Sequence, residues 1–180
     1  MHTAHALSRL THDALAAIMR DAPPVAARDL AGHAYRGLAV GLPRALEPLV
    51  QKFEKHFAPI DGEGRVRAWN QRMRQNGPDA PWIPATVAGR PLTYGRFTVR
   101  PVADYPAFAV EHPTALVFDY GQGEPPWSPF CVVRDVVVAA NPGSADLLVG
   151  RMYLSAAGRT ADARSFFLLM RDRPVTRTHP

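Results

Sequence analysis

The chain has 180 residues, of which 47% are hydrophobic and 21% are charged, and its formal net charge is +5. This length is close to that of one typical domain, and the ordinary charged fraction excludes disordered and fibrous classes of protein. No apolar run reaches the roughly 18 residues that a transmembrane helix requires, so we expect no membrane span.

The cysteine content and the N-terminal residues indicate the cellular compartment. Cys131 is the single cysteine, which excludes an intramolecular disulfide. The first ten residues carry His2, His5 and Arg9 but no apolar segment, which is unlike a secretory signal peptide. We therefore expect a cytoplasmic protein.

The positive charge raises the question of nucleic acid, because a basic surface attracts phosphate whatever the base sequence. The densest basic cluster lies within residues 65–74 and surrounds Trp69. On a strand, Arg65 and Arg67 would face away from Arg72 and Arg74, which divides the cluster between two faces. We expect no nucleic acid partner.

The N-terminal segment predicts an amphipathic helix over residues 7–20. Its apolar residues recur at helical spacing: Leu7, Leu10, Ala14, Leu15, Ile18 and Met19. Pro23 and Pro24 should end it, since proline lacks the backbone donor that a helix needs. This helix and its linker, residues 1–28, could cover a barrel mouth or form a homodimer contact.

Residues 32–41 are typical of a first strand, because their side chains alternate in character and glycines flank them. A second amphipathic helix is predicted to begin at Pro43, a residue favoured in the first turn of a helix. Its apolar stripe would consist of Leu46, Leu49, Val50, Phe53 and Phe57.

After Gly64 the helical periodicity disappears, and strand-like runs are separated by glycine and proline clusters. These runs are residues 65–75, 95–102, 114–120, 130–139, 146–156 and 165–171, which with the first strand make seven. Such spacing favours an antiparallel barrel over alternating βαβ units. The predicted fold class is mainly β with flanking helices (α+β): an antiparallel β-barrel with an N-terminal helix and a helix after the first strand. The barrel domain would cover residues 29–172, followed by a tail over residues 173–180.

The order of motifs in this chain resembles a known family. A strand reading GHAYRG at residues 32–37 is followed by a predicted helix and a meander that ends in DLLVGRMYL and SFFLLMRD. This resembles lipocalin-like, calycin-type small barrels, in particular the bacterial GXWXG-type domain family, with Tyr35 near the place of the family's tryptophan. The resemblance covers residues 32–171. It implies a lipocalin-like barrel with an interior site, and it implies no catalytic residue because that family has no settled activity.

Arg151 and Tyr153 form an R-x-Y pair whose side chains share one face of a strand. Fatty-acid-binding members of the wider calycin group hold a ligand carboxylate with such a pair, and the resemblance implies the same role here. An arginine fork and a phenol are suitable donors to a carboxylate. The sequence leaves both faces of this strand plausible. If Arg151 points inward it must be paired, with Asp119 or Asp135 as its partner, either beside a ligand or in an internal salt bridge alone. If it points outward, it would form a surface salt bridge.

Charged and aromatic residues within apolar strands are the other candidates. Arg134 and Asp135 are adjacent, so one of them should point inward, and Asp119 ends a strand at the barrel rim. The aromatic residues offer either ligand stacking or core packing: Tyr35, Trp69, Phe97, Phe118, Trp127, Phe166 and Phe167. The candidate ligand-binding residues are Arg151, Tyr153, Tyr35, Trp69, Asp119 and Arg134.

No catalytic or cofactor motif stands out. The seven histidines include no H-x-x-x-H pair, and the chain has no G-x-S-x-G, P-loop or dinucleotide fingerprint. We expect no metal and no cofactor. The predicted function is a small-molecule binding protein that holds a small, largely apolar ligand, with or without a carboxylate, in the barrel interior. Two alternatives stay open: a cofactor-free isomerase or cyclase that uses Asp119, Asp135 or Tyr120 to move protons, and an interaction or scaffold protein that uses the N-terminal helix.

Overall fold

A computed structural model describes residues 1–41 and 50–175 of the chain. Its helices are short: α1 (Ala4–Leu7), α2 (His12–Arg20), α3 (Ala27–Leu30) and α4 (Pro106–Ala109). The strands are β1 (His33–Val40), β2 (Lys52–Phe57), β3 (Val66–Arg72), β4 (Thr86–Val87), β5 (Arg90–Pro91), β6 (Thr93–Pro101), β7 (Leu116–Asp119), β8 (Val133–Asn141), β9 (Ser144–Ala156) and β10 (Arg159–Pro174). Two 3₁₀ turns, Val102–Asp104 and Tyr120–Gln122, flank α4 and β7.

Eight strands form one closed antiparallel barrel in the order β1-β10-β9-β8-β7-β6-β3-β2, and β2 pairs back onto β1. The first and last strands meet with Gly37 opposite Leu169. Closure gives each of these eight strands two neighbours, so the barrel itself has no open edge. The predicted antiparallel barrel is therefore confirmed, and β4 and β5 form a separate two-stranded hairpin.

Alternation of side chains along the strands produces two apolar clusters, one on each face of the barrel wall. The interior cluster includes Tyr35, Phe57, Phe97, Phe118, Leu148 and Leu169, and Leu30 of α3 belongs to it. The outer cluster includes Val138, Val149 and Leu168 together with Leu7, Leu15 and Met19 of the N-terminal helices. Helix α3 thus closes one end of the barrel, while α1 and α2 pack against the outer wall.

The helix predicted over residues 7–20 is divided into α1 and α2. Thr11 starts α2 as its N-cap, with its hydroxyl accepting from the backbone N–H of Ala14 at 3.3 Å. Threonine is favoured at an N-cap because its side chain satisfies a backbone donor that the helix leaves unpaired. Leu7, Leu15 and Met19 are fully buried, but Leu10 is 37% exposed, so only part of the apolar face predicted from the sequence is buried.

The second predicted helix is wrong over Lys52–Phe57, which is strand β2. Phe53 and Phe57 are four residues apart, and four is both about one helical turn and an even number, so they share a face in either structure. In β2 they point into the barrel with Lys55. The first part of that predicted helix, residues 43–49, lies outside the described residues.

Strand β10 extends beyond the predicted residues 165–171 at both ends and contains a register shift between Asp162 and Ser165. Arg164 lies in this shift with φ of 51°. None of the helices within residues 1–41 and 50–175 has the length and hydropathy needed to cross a lipid bilayer.

Candidate functional site

A cavity of about 530 Å³ occupies the end of the barrel opposite α3. Its walls are mainly apolar and include Ala39, Phe53, Phe130, Val133, Met152 and Phe167. His12, Gly41, Val50 and Arg164 lie around its mouth. This volume falls within the range of roughly 300 to 1,000 Å³ that is common for small-molecule sites.

Two glycines make room for the aromatic wall. Gly37 lies opposite Phe53 across β1 and β2, and Gly150 lies opposite Phe167 across β9 and β10. A Cβ atom at either glycine would overlap the facing ring. The two rings therefore lie flat over bare backbone and meet edge to face, with 5.8 Å between their centres.

The floor of the cavity is polar and consists of Lys55, Asn70, Tyr120 and Asp135, which we call the polar floor. Lys55 Nζ donates to Asn70 Oδ1 at 2.9 Å, to the Tyr120 hydroxyl at 2.5 Å and to Asp135 Oδ2 at 3.0 Å. The Tyr120 hydroxyl donates in turn to Asp135 Oδ2 at 3.1 Å. All three ammonium protons of Lys55 thus have acceptors within the polar floor.

The environment of Lys55 is unusual for a charged side chain, because the residue is only 2% exposed. Burial lowers its pKa below the ordinary value, and the Asp135 carboxylate acts in the opposite direction. Five aromatic rings lie 4.8 to 5.6 Å from its ammonium: Phe53, Phe97, Phe118, Tyr120 and Phe167. Burial also raises the pKa of Tyr120 well above its ordinary value, so this phenol stays protonated at neutral pH.

A bulge in β6 brings a further tyrosine to the cavity. Gly95 has φ of 55°, and the pairing of β3 with β6 shifts register at this point. Tyr94 and Phe97 consequently both face the interior, although three positions separate them. The Gly95 carbonyl accepts from Asn70 Nδ2 at 3.0 Å, and a Cβ atom at Gly95 would lie 2.7 Å from the same nitrogen. Glycine is required here both by backbone conformation and by space.

Beside the polar floor, Oδ1 of Asp135 and the hydroxyl of Tyr94 have no hydrogen-bond partner within the described residues. Neither atom is sealed in the protein interior, since both residues line the cavity. Burial raises the pKa of Tyr94 to about 12, so it is a neutral donor and acceptor. The site can therefore offer a ligand one carboxylate oxygen and one phenol.

Arg151 and Tyr153 lie on the outer face of β9, outside the cavity. The Arg151 guanidinium pairs with Asp162 at 2.6 Å and with Glu111 at 3.4 Å. The Tyr153 ring packs against Phe108 of α4 at 4.9 Å between centres. Of the two faces that the sequence left plausible, the structure shows the outward one, and the ion-pair partners are neither Asp119 nor Asp135.

Three further candidates also lie on the outer face. Arg134 Nε pairs with Asp119 Oδ1 at 2.9 Å, and the Tyr105 hydroxyl donates to Asp119 Oδ2 at 2.5 Å. Trp69 stacks on His56 with 5.4 Å between ring centres. Of the adjacent pair in β8, Asp135 is the inward residue and Arg134 the outward one. The strands fix this because adjacent side chains point to opposite faces.

Tyr35 is inside the barrel, as the interior site required, but at the closed end. It packs on Phe57, its hydroxyl has no hydrogen-bond partner within the described residues, and burial raises its pKa to about 12. None of the six candidate residues lines the cavity. The expectation that they would together contact a ligand in the interior is therefore not met by the geometry.

Sequence reasoning missed Lys55, Asn70, Tyr94 and Phe53 as cavity residues. Interpreting Lys52–Phe57 as a helix hid the alternation that places Lys55 between two inward phenylalanines. A signal was available, since a lysine that shares a strand face with two phenylalanines must find a buried partner. Asp135 and Tyr120, named from the sequence for other roles, are that partner and its neighbour.

No protein-family model matches the sequence, and no curated protein or solved structure is significantly similar to it. The eight-stranded closed barrel is compatible with a lipocalin-like fold. In residues 1–41 and 50–175 there is no group of three or more histidine, cysteine or acidic side chains that could hold a metal ion.

Proposed function

We propose that this protein binds one small, largely apolar molecule in the open end of its barrel. The observation that carries the proposal is the cavity of about 530 Å³, with aromatic walls and a polar floor. Burial of a ligand against such walls supplies roughly 25 cal/mol for each Å² of apolar surface removed from water. A few polar groups then fix its orientation.

The inner end of the ligand should carry an uncharged hydrogen-bonding group. Lys55 is already neutralised by Asp135, so the polar floor has little net charge to attract an ion. Asp135 Oδ1 accepts a hydrogen bond from a hydroxyl or N–H group, and the Tyr94 hydroxyl donates one to an oxygen. Leaving these atoms unpaired beside an apolar group would cost affinity, which favours a ligand with a polar inner end.

A carboxylate on the ligand would have to lie at the other end, at the mouth. Arg164 and His12 both lie at the mouth, and Arg164 is exposed. A carboxylate there keeps part of its hydration and has a guanidinium nearby. This orientation replaces the one implied by the R-x-Y pair, whose residues lie on the outer wall.

The alternative of a carboxylate-driven isomerase or cyclase is not favoured. It requires an internal carboxylate that is free to accept a proton from a substrate. Asp135 is ion-paired with Lys55, and Asp119 is ion-paired with Arg134 on the outer face. The scaffold alternative needs a free apolar face on the N-terminal helix, but Leu7, Leu15 and Met19 are buried against the chain's own barrel.

Titration with N-phenyl-1-naphthylamine, an uncharged apolar dye, tests the proposal. We expect its fluorescence to rise and to saturate at one dye per chain. Ala39→Phe places a ring inside the mouth and should weaken dye binding by at least about tenfold, which corresponds to roughly 1.4 kcal/mol. Leu38→Phe, the neighbouring position that points outward, is the matched control and should bind as the wild type does. Equal binding by both variants, or no saturable binding at all, would contradict the proposal.

A further inference from the structure

We propose that Lys55 captures carbonyl compounds in the cavity by forming an imine, so that the ligand class includes apolar aldehydes and ketones. This inference rests on the proposed function, because the carbonyl compound must first enter the cavity. It goes further in assigning a covalent role to one residue. The observation behind it is a lysine amine at the floor of an apolar cavity, held by a phenol and a carboxylate.

The position of Lys55 meets the geometric requirement for this chemistry. Its side chain enters from β2 and ends at the cavity floor, while Asp135 approaches from the opposite wall. A carbonyl oxygen that accepts a hydrogen bond from the Tyr94 hydroxyl would lie in the same cavity as the Lys55 amine. The aromatic walls exclude bulk water, which favours the dehydrated product.

The proton transfers of the reaction balance with water in the cavity as the carrier. Lys55 first gives one ammonium proton to water in the cavity, and its nitrogen lone pair then bonds to the carbonyl carbon. The C=O π pair moves to oxygen, which is protonated to a hydroxyl as the nitrogen loses a proton. Departure of that hydroxyl as water, after it gains a further proton, leaves a protonated C=N bond. The protonated imine carries the same single positive charge as the original ammonium, and Asp135 remains its counter-ion.

Burial helps because it lowers the pKa of Lys55 and increases the share of neutral, nucleophilic amine. Burial alone does not single out this residue, however. Lys52 is the other lysine of the chain, it is 1% exposed, and its pKa is lowered by burial too.

What distinguishes the two lysines is their place relative to the barrel wall. Lys52 points outward, and its Nζ donates to Asn76 Oδ1 at 2.8 Å and to the carbonyl oxygens of Gly77, Ala80 and Pro81. A loop therefore encloses this amine, which does not line the cavity. Lys52 is an internal control for reactivity that depends on the cavity.

Reductive trapping tests the proposal on the wild-type chain. The protein is incubated near neutral pH with 2-naphthaldehyde and sodium cyanoborohydride, which converts an imine into a stable secondary amine. Cleavage after Glu54 separates the two lysines into different peptides for mass spectrometry. We expect a naphthylmethyl adduct at Lys55 and none at Lys52. Labelling of Lys52 or of the N-terminal amine to the same extent would overturn the proposal.

Matched variants sharpen the result. Lys55→Arg keeps a cation beside Asp135 but cannot form an imine, and it should lose the adduct. Lys52→Arg should keep it, and Ala39→Phe should lose it because the mouth is blocked. Circular dichroism of each variant checks that the barrel is folded, and wild-type site mapping decides the question if Lys55→Arg does not fold.

Dye displacement separates this inference from the proposed function. 2-Naphthalenemethanol has the shape of the aldehyde without its carbonyl, so both compounds should displace N-phenyl-1-naphthylamine. If both displace the dye but no adduct forms at Lys55, the imine is overturned and the binding function stands. If the dye shows no saturable binding to the wild type, the proposed function fails as well.

Discussion

Lys55 and Asp135 form an ion pair of 3.0 Å that crosses the barrel interior. Three strands separate β2 from β8 in either direction around the ring, so the pair joins opposite walls. The two residues are 80 positions apart in the chain. Removing one partner leaves the other charge buried without compensation, whereas removing both does not.

Substitution of this pair tests its energetic role. Lys55→Met should lower the free energy of unfolding by roughly 3 to 5 kcal/mol, because Asp135 is left buried and unpaired. Adding Asp135→Leu should restore much of that loss. Denaturant unfolding of the wild type, both single variants and the double variant gives the coupling energy. Losses that simply add would mean that the two side chains do not stabilise each other.

The glycines beneath the aromatic wall give a second prediction. Gly150→Ala places a Cβ atom in the space of the Phe167 ring. We expect this overpacking to lower the free energy of unfolding by about 1 to 3 kcal/mol. Gly62→Ala is the control, because a Cβ atom at that position would have no neighbouring atom within 4 Å. Thermal unfolding compares the two. An unchanged melting temperature for Gly150→Ala would show that the ring moves aside at little cost.

Acid should destabilise the fold by protonating Glu54, which lies on the outer face of β2. Burial alone would raise the pKa of Glu54, but hydrogen bonds from His56 and Arg173 outweigh it and lower the pKa from 4.5 to about 2. Since the folded-state pKa is the lower one, the stabilisation is complete above pH 4.5. It is lost as the pH falls from about 4.5 through about 2.

Glu54→Gln measures that contribution. The Arg173 side chain is 46% exposed, and solvent weakens the effect of its charge. We therefore expect Glu54→Gln to lower the free energy of unfolding at neutral pH by about 1 to 3 kcal/mol, less than the full pKa shift of Glu54 would give. The stability of the variant should depend less on pH between about 5 and 2. Glu63→Gln, at an exposed site, should keep the wild-type profile, and a Glu54→Gln profile that matches it would contradict the prediction.

Arg151 provides a test of where ligand binding does not occur. Arg151→Met removes the ion pairs with Asp162 and Glu111 on the outer wall, and we expect the affinity for N-phenyl-1-naphthylamine to stay as in the wild type. Tyr94→Phe removes a cavity hydroxyl and should weaken a ligand that bonds to it by about 1 kcal/mol. Titration of both variants with 2-naphthaldehyde in competition with the dye gives the comparison. A large loss of affinity in Arg151→Met alone would mean that the ligand binds at the R-x-Y pair and not in the cavity.

Much of the fold could be predicted from the sequence, and the candidate site could not. Seven strands, the first of them at residues 32–41, could be recognised because alternating side chains and turn residues are local signals. Strand β2 was missed because the spacing of Phe53 and Phe57 satisfies two periodicities. The face of β9 was undetermined since Leu147 and Val149 accompany Arg151 on one side, while Leu148 and Met152 occupy the other.

The polar floor depends on features that no local pattern contains. Its four residues come from β2, β3, β8 and the turn after β7, and only barrel closure brings them within hydrogen-bonding distance. The bulge at Gly95 that admits Tyr94 is likewise a property of strand register. An isolated lysine or aspartate in the sequence cannot show which opposite wall it will meet.

The pairing of β1 with β10 has a consequence for the order of assembly. Gly37 pairs with Leu169, which the ribosome adds 132 positions later, so the ring cannot be completed until β10 has been synthesised. Until then β1 has a neighbour on one side only, and its unoccupied backbone groups are open to strands of other molecules. We expect refolding to slow and aggregation to rise sharply when β10 is weakened, and much less when the separate β4–β5 hairpin is altered.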